Sequence, residues 1–125
     1  MPRRNKGGGG GAKIRVLLVD DTDLFSLEMM LDKEQLEIVG MAKSGEEALQ
    51  MASSLDFDVA IVDYKMPGMD GLEVAEKLKA MRPAVKVVIL TSYEVRDVVA
   101  GNPNVDHYHE KIAIESLADS LTALK

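Results

Sequence analysis

From Lys13 onward the chain alternates between two kinds of segment. The first kind is short, β-branched and almost continuously apolar: Ile14 to Val19, Ile38 to Met41, Phe57 to Val62, Val85 to Leu90, and more weakly Val105 to His109. Runs of this length that do not alternate cleanly between apolar and polar suit strands covered on both faces, as in parallel sheets. The second kind is amphipathic and of helical length. Leu24, Leu27 and Leu31 recur on one face of the first such segment. Ser44-Gly45-Glu46-Glu47 opens the second as a capping box, with Ser at the N-cap and Glu three residues on. Asp70-Gly71-Leu72-Glu73 opens the third in the same way, and Pro83 lies just past its end. A short fourth segment, from about Tyr93 to Ala100, is stopped by Gly101-Asn102-Pro103-Asn104, and the last carries Leu117, Leu121 and Leu124. Strand and helix in strict alternation predict an α/β fold: a doubly wound parallel sheet of five strands with five helices on its two faces. The right-handed crossover rule leaves few topologies for it.

Composition narrows the classes of function. Residues 1–12 hold the glycine run Gly7 to Gly11 and read as a flexible tail, which leaves 13–125 as one domain. No strand precedes the glycines and no Gly-Lys-Ser/Thr follows them, so they do not form a phosphate loop. A net charge of −6 argues against nucleic-acid binding by this domain; the only basic excess, Arg3, Arg4, Lys6, Lys13 and Arg15, sits at the N-terminus and reads as a solvated tail. There is no Cys, hence neither a disulfide framework nor a thiolate metal site. No apolar run approaches the roughly 18 residues of a membrane span, and the basic start lacks an apolar signal core. A cytoplasmic location fits these features.

The residues that follow each strand carry the chemistry. In open α/β sheets, ligands bind beyond the carboxyl ends of the strands. Asp20 and Asp21 follow the first predicted strand, Asp63 ends the third, Thr91 and Ser92 follow the fourth, and Lys111 follows the fifth. A single Asp at a strand end is commonly a turn or cap residue, and Thr91 alone is an ordinary β-former. Their joint occurrence aims three carboxylates, a hydroxyl and an ammonium at one end of the sheet. Crowded carboxylates resist ionisation unless a cation is present. An all-oxygen donor set without His or Cys selects a hard ion, Mg²⁺ rather than Zn²⁺. Mg²⁺ keeps several waters and accepts phosphate oxygens, which suggests phosphoryl chemistry with a carboxylate as nucleophile.

These residues resemble the receiver family of two-component signalling, the response regulators of phosphorelays. The resemblance rests on Val16-Leu17-Leu18-Val19-Asp20-Asp21, Val62-Asp63-Tyr64-Lys65-Met66-Pro67-Gly68-Met69-Asp70-Gly71, Leu90-Thr91-Ser92 and Tyr108-His109-Glu110-Lys111. It covers nearly the whole chain from Lys13. It implies a flavodoxin-like sheet in the order 2-1-3-4-5. It implies that Asp63 takes a phosphoryl group from a phosphohistidine on a sensor histidine kinase or a histidine phosphotransfer protein. Asp21, Asp63 and the backbone carbonyl of Lys65 would ligate Mg²⁺, with Asp20 acting through a metal-bound water. Lys111 would pair with Asp63 and then with the phosphoryl group, while Thr91 and Tyr108 would form the switch. The readout would be a downstream protein, an output domain or a phosphorylation-dependent homodimer. The domain would then be a signalling module, its only catalysis its own phosphotransfer and dephosphorylation.

Three positions depart from the family pattern. Ile112 stands where a Pro usually follows the Lys, so the Lys111–Ile112 peptide is expected to be trans, a non-Pro cis bond costing about 2.5–4 kcal/mol. His109 occupies a commonly apolar position, and the fourth helix is short. Other readings fit the residues less well. Asp21-Thr22-Asp23 resembles half of a haloacid-dehalogenase motif, but Phe25 stands where that motif has Thr or Val, and the chain has no room for a cap domain. A degenerate receiver is disfavoured because all the phosphorylation residues are present. A flavin module on the same fold lacks the aromatics and the Ser/Thr-rich phosphate loop. His107 and His109, two residues apart, would face one way on a strand, but two ligands make a poor Zn²⁺ site and none is expected.

Overall fold

A computed structural model describes residues 13–91, 96–111, 117–118 and 121. Five strands, β1 (Ile14–Val19), β2 (Leu36–Ala42), β3 (Val59–Asp63), β4 (Lys86–Thr91) and β5 (His107–Glu110), pair in parallel in the order β2-β1-β3-β4-β5. Four helices lie between them: α1 (Leu24–Met30), α2 (Gly45–Ala52), α3 (Gly71–Met81) and α4 (Arg96–Ala100). Leu117, Ala118 and Leu121 are helical and buried, at the place of the expected fifth helix. The expected strand order and five strands are therefore present. The start of the expected fourth helix, at Tyr93, and most of the fifth lie outside the described residues.

The continuous apolar runs have a simple cause. Successive side chains of a strand point to opposite faces. In β1, Leu17 and Val19 join one core with Ala48 and Ala52 of α2, Val74, Ala75 and Leu78 of α3, and Val99 of α4. Val16 and Leu18 join the other with Leu24 and Leu27 of α1, Leu31 just beyond it, and Leu117 and Leu121. Central strands therefore need apolar residues at every position, and β3 is buried throughout. The edge strands β2 and β5 are covered less completely and read more weakly in the sequence.

Local signals set the helix starts. Ser44 Oγ accepts from the Glu47 amide at 3.1 Å, and Asp70 Oδ1 accepts from the Glu73 amide at 3.0 Å. The capping box at α2 is shifted by one residue on its return arm, since Glu47 Oε1 accepts from the Lys43 amide at 2.6 Å rather than from that of Ser44. On the far side of the sheet Asp106 Oδ2 accepts from the Val87 amide at 2.8 Å and pairs with Lys79 of α3 at 2.7 Å, which ties α3, β4 and the entry to β5 together.

Candidate functional site

The parallel register brings the carboxyl ends of β1, β3, β4 and β5 to one edge of the sheet. Asp20 lies one residue past β1, Asp63 is the last residue of β3, Thr91 the last of β4, and Lys111 follows β5. The β3–α3 turn closes over this edge. The Gly71 amide donates to the Tyr64 carbonyl at 2.8 Å, and a Cβ at Gly71 would stand 2.7 Å from the Asp63 carbonyl oxygen, so only glycine allows so close an approach. Gly68, at the tip of the same turn, has φ +76°, a conformation suited to glycine.

Asp20, Asp21 and Asp63 each offer a carboxylate oxygen, and the three oxygens lie within 4.8 Å of one another. Asp20 is fully buried and Asp63 is 8% exposed. One oxygen of Asp20 is used locally: Oδ1 accepts from the Thr22 and Asp23 amides at 2.9 and 2.8 Å, which fixes the turn into α1. The other, Oδ2, stays buried without an aligned hydrogen-bond donor. The Lys111 ammonium is 2.8 Å from it, an ion-pair contact whose angle falls outside hydrogen-bonding geometry. Lys111 Nζ also donates to Asp23 Oδ2 at 3.1 Å and to Asp63 Oδ2 at 3.3 Å.

Burial, then the negative charge of Asp20, pushes the Asp63 carboxyl up to about 6 against the opposing pull of Lys111. Burial also acts upward on Asp20, but the paired Lys111 ammonium and the amides of Asp23 and Thr22 outweigh it and hold that carboxyl below its usual range. Burial acts downward on Lys111, and the carboxylates of Asp20, Asp23 and Asp63 outweigh it, keeping the ammonium charged well above its ordinary range. The pocket thus holds more negative charge than one ammonium satisfies. That excess, the unsatisfied Asp20 Oδ2 and an all-oxygen donor set fit a hard divalent cation.

Thr91, the last residue of β4, shares this edge of the sheet. Thr91 is 2% exposed, and its Oγ1 is buried with no hydrogen-bond partner. Tyr108 of β5 lies in register with Ile89 of β4 and is 39% exposed. By the two-residue period of a strand, Thr91 and Tyr108 share the face that carries α2, α3 and α4. Lys65 is exposed, two residues past Asp63. Asp23 is the member that the strand-end reading did not place here. His107 and His109 lie on one face of β5 with ring centroids 5.9 Å apart, and burial followed by the charge of His109 keeps His107 below its usual range. Ser92 and the Lys111–Ile112 peptide fall outside the described residues. No helix among the described residues is long and apolar enough to cross a membrane.

A parallel sheet in this order, with paired acids after β1, an acid ending β3 and a lysine after β5, defines a receiver. The response regulator receiver domain model matches residues 16–106, and the chain belongs to that family. Among curated proteins it is 48% identical over 84 residues to response regulator GacA of Pseudomonas viridiflava, a match covering 65% of this chain and 39% of GacA. It is 39% identical over 87 residues to the transcriptional regulatory protein PdtaR of Mycobacterium tuberculosis, covering 68% of this chain and 42% of that protein. The chain therefore spans well under half the length of these relatives. Among solved structures, response regulator TrrA of Thermotoga maritima in complex with Mg²⁺-BeF is 31% identical with a TM-score of 0.73, covering 90% of this chain and 99% of that one. A CheY-like receiver domain protein of Methanospirillum hungatei is 28% identical with a TM-score of 0.72, covering 90% of this chain and 93% of that one.

Proposed function

We propose that Asp63 is the phosphoacceptor of this receiver, taking its phosphoryl group from a phosphohistidine on a sensor histidine kinase or a histidine phosphotransfer protein. The observation that carries this is the Asp63 carboxylate at the sheet edge, with Lys111 Nζ 3.3 Å away and two further acids within ligand distance. An Asp63 oxygen attacks phosphorus, the phosphorus–nitrogen bond of the donor breaks, and its electron pair returns to the imidazole. The product is an acyl phosphate on Asp63. Mg²⁺, when bound, supplies positive charge that offsets the incoming anion. Asp21, Asp63 and the Lys65 carbonyl are its ligands in this reading, with Asp20 acting through a water; TrrA, a relative crystallised with Mg²⁺-BeF, supports that choice of ion. Lys111 shifts from carboxylate to phosphoryl oxygen, and the unpartnered Thr91 hydroxyl donates to another phosphoryl oxygen. Tyr108 then moves inward on the face it shares with Thr91, which biases the surface formed by α4, β5 and the final helical segment toward a second state. That surface engages an output domain, a downstream protein or a second copy of the chain.

The test is intact-mass analysis after treatment with acetyl phosphate. One added phosphate is expected with Mg²⁺, and none without the metal or in Asp63→Asn. Addition at another residue would refute the assignment.

A further inference from the structure

We propose that Asp23 is a positioning residue of the phosphoryl-transfer site, holding one N–H of Lys111 in reserve and slowing transfer until that N–H is released. The proposal rests on the reading of Asp63 as acceptor and concerns a residue which that reading leaves without a role.

Asp23 occupies the N-cap position of α1, where an Asp side chain ordinarily accepts a bond from the first turn. It makes no such bond, whereas Ser44 and Asp70 both cap their helices. The turn does not need it, because Asp20 Oδ1 already binds the Thr22 and Asp23 amides. The Asp23 carboxylate accepts instead from Lys111 Nζ at 3.1 Å, across 88 residues of sequence.

An ammonium has three N–H donors. Lys111 commits two of these, to Asp23 at 3.1 Å and to Asp63 at 3.3 Å, and stands 2.8 Å from Asp20 Oδ2 in an ion pair, so three carboxylates hold the ammonium in place. The Asp63 contact passes to a phosphoryl oxygen, and for the ammonium to follow that oxygen one of the other two contacts must also give way. Releasing Asp20, which is fully buried, would strand a charge away from water and is strongly unfavourable. The side chain of Asp23 is 51% exposed, so water can replace the lysine there. Asp23 is therefore the contact that yields. Until it does, its charge also repels an anionic donor at the mouth of the site.

The experiment follows phosphorylation of the full chain by acetyl phosphate with Mg²⁺ at low ionic strength. In that reaction an Asp63 oxygen forms the new bond to phosphorus, and the phosphorus–oxygen bond to the acetyl group breaks to release acetate. Asp23→Asn is expected to react about two- to fivefold faster than wild type, the range of an exposed charge contact, and Asp23→Glu at close to the wild-type rate. The difference should narrow at about 1 M salt, where exposed charges are screened. The Lys111 side-chain ¹⁵N resonance, recorded without phosphodonor, should move in Asp23→Asn and stay in place in Asp23→Glu. An Asp23→Asn variant reacting at the wild-type rate, an Asp23→Glu variant as fast as Asp23→Asn, or an unmoved lysine resonance would overturn the proposal. Wild type that takes no phosphate on Asp63 refutes the acceptor reading instead, and the resonance still decides the role of Asp23.

Discussion

At the scale of single residues the site is a balance of unequal charges, and its sign can be worked out. The Asp63 carboxyl is raised from 3.8 to about 6, so the folded protein holds its proton more tightly than the unfolded chain does. Below about pH 4 both states are protonated and Asp63 costs the fold nothing; between about pH 4 and 6 the cost grows, and above about pH 6 it is complete. Metal-free Asp63→Asn should therefore be more stable than wild type at pH 7.5, by on the order of 3 kcal/mol, with the difference vanishing toward pH 4. Urea unfolding at several pH values measures this, and equal stabilities at pH 7.5 would show that the crowding is relieved in some other way. Lys111→Ala acts in the opposite direction. It leaves the buried Asp20 without a cation, and a loss of about 2–3 kcal/mol is expected at pH 7 by the same measurement.

At the scale of elements, the carboxyl end of β3 and the start of α3 act as one part. Gly71 packs against the backbone of Asp63 and Tyr64, and Asp70 caps the helix that follows. Asp70→Ala should cost about 1 kcal/mol, as lost N-caps do, with little effect on phosphorylation. Gly71→Ala should cost more, about 1–3 kcal/mol, and should also slow phosphorylation, since its Cβ would displace the turn that carries Asp63 and Lys65. Thermal unfolding and acetyl phosphate kinetics on the pair separate a cap from a spacer; equal effects of both substitutions on the rate would contradict the distinction. Much of this part was legible beforehand. The capping signals at Ser44 and Asp70 and the stops near Pro83 and Gly101 are local, and each depends on chemistry within a few residues. Strand ends were read less well: the expected Phe57 to Val62 became Val59–Asp63, and Val105 to His109 became His107–Glu110. An apolar residue ahead of a strand is buried as readily as one inside it, so pattern alone does not mark where pairing begins.

At the scale of the whole molecule, the expected behaviour is that of two linked equilibria, cation binding and a change of surface. Mg²⁺ at millimolar concentration should raise the melting temperature of wild type and leave Asp21→Ala unchanged, while Asp21→Ala is itself at least as stable as wild type without metal, because one repelling charge is gone. Differential scanning calorimetry with and without Mg²⁺ checks both, and a metal-dependent rise in Asp21→Ala would remove Asp21 from the ligand set. Amide NMR of the phosphorylated chain should show shifts that extend from Asp63 to Tyr108 and Leu117; shifts confined to the pocket would leave the acceptor standing and remove the switch. The sequence by itself determined the α/β class, the alternation of elements and the set of acids, hydroxyl and lysine that the strands carry. Those follow from residue type, periodicity and capping, all of which act over short stretches of chain. The strand order followed from the family resemblance and is the one found; only the tertiary structure decided that Asp20 is buried to the last atom and that Asp23 turns away from its own helix to meet Lys111. Packing and burial are properties of the assembled sheet, and the field that raises Asp63 and holds Asp20 down exists only once the ends of β1, β3 and β5 have been brought to one edge.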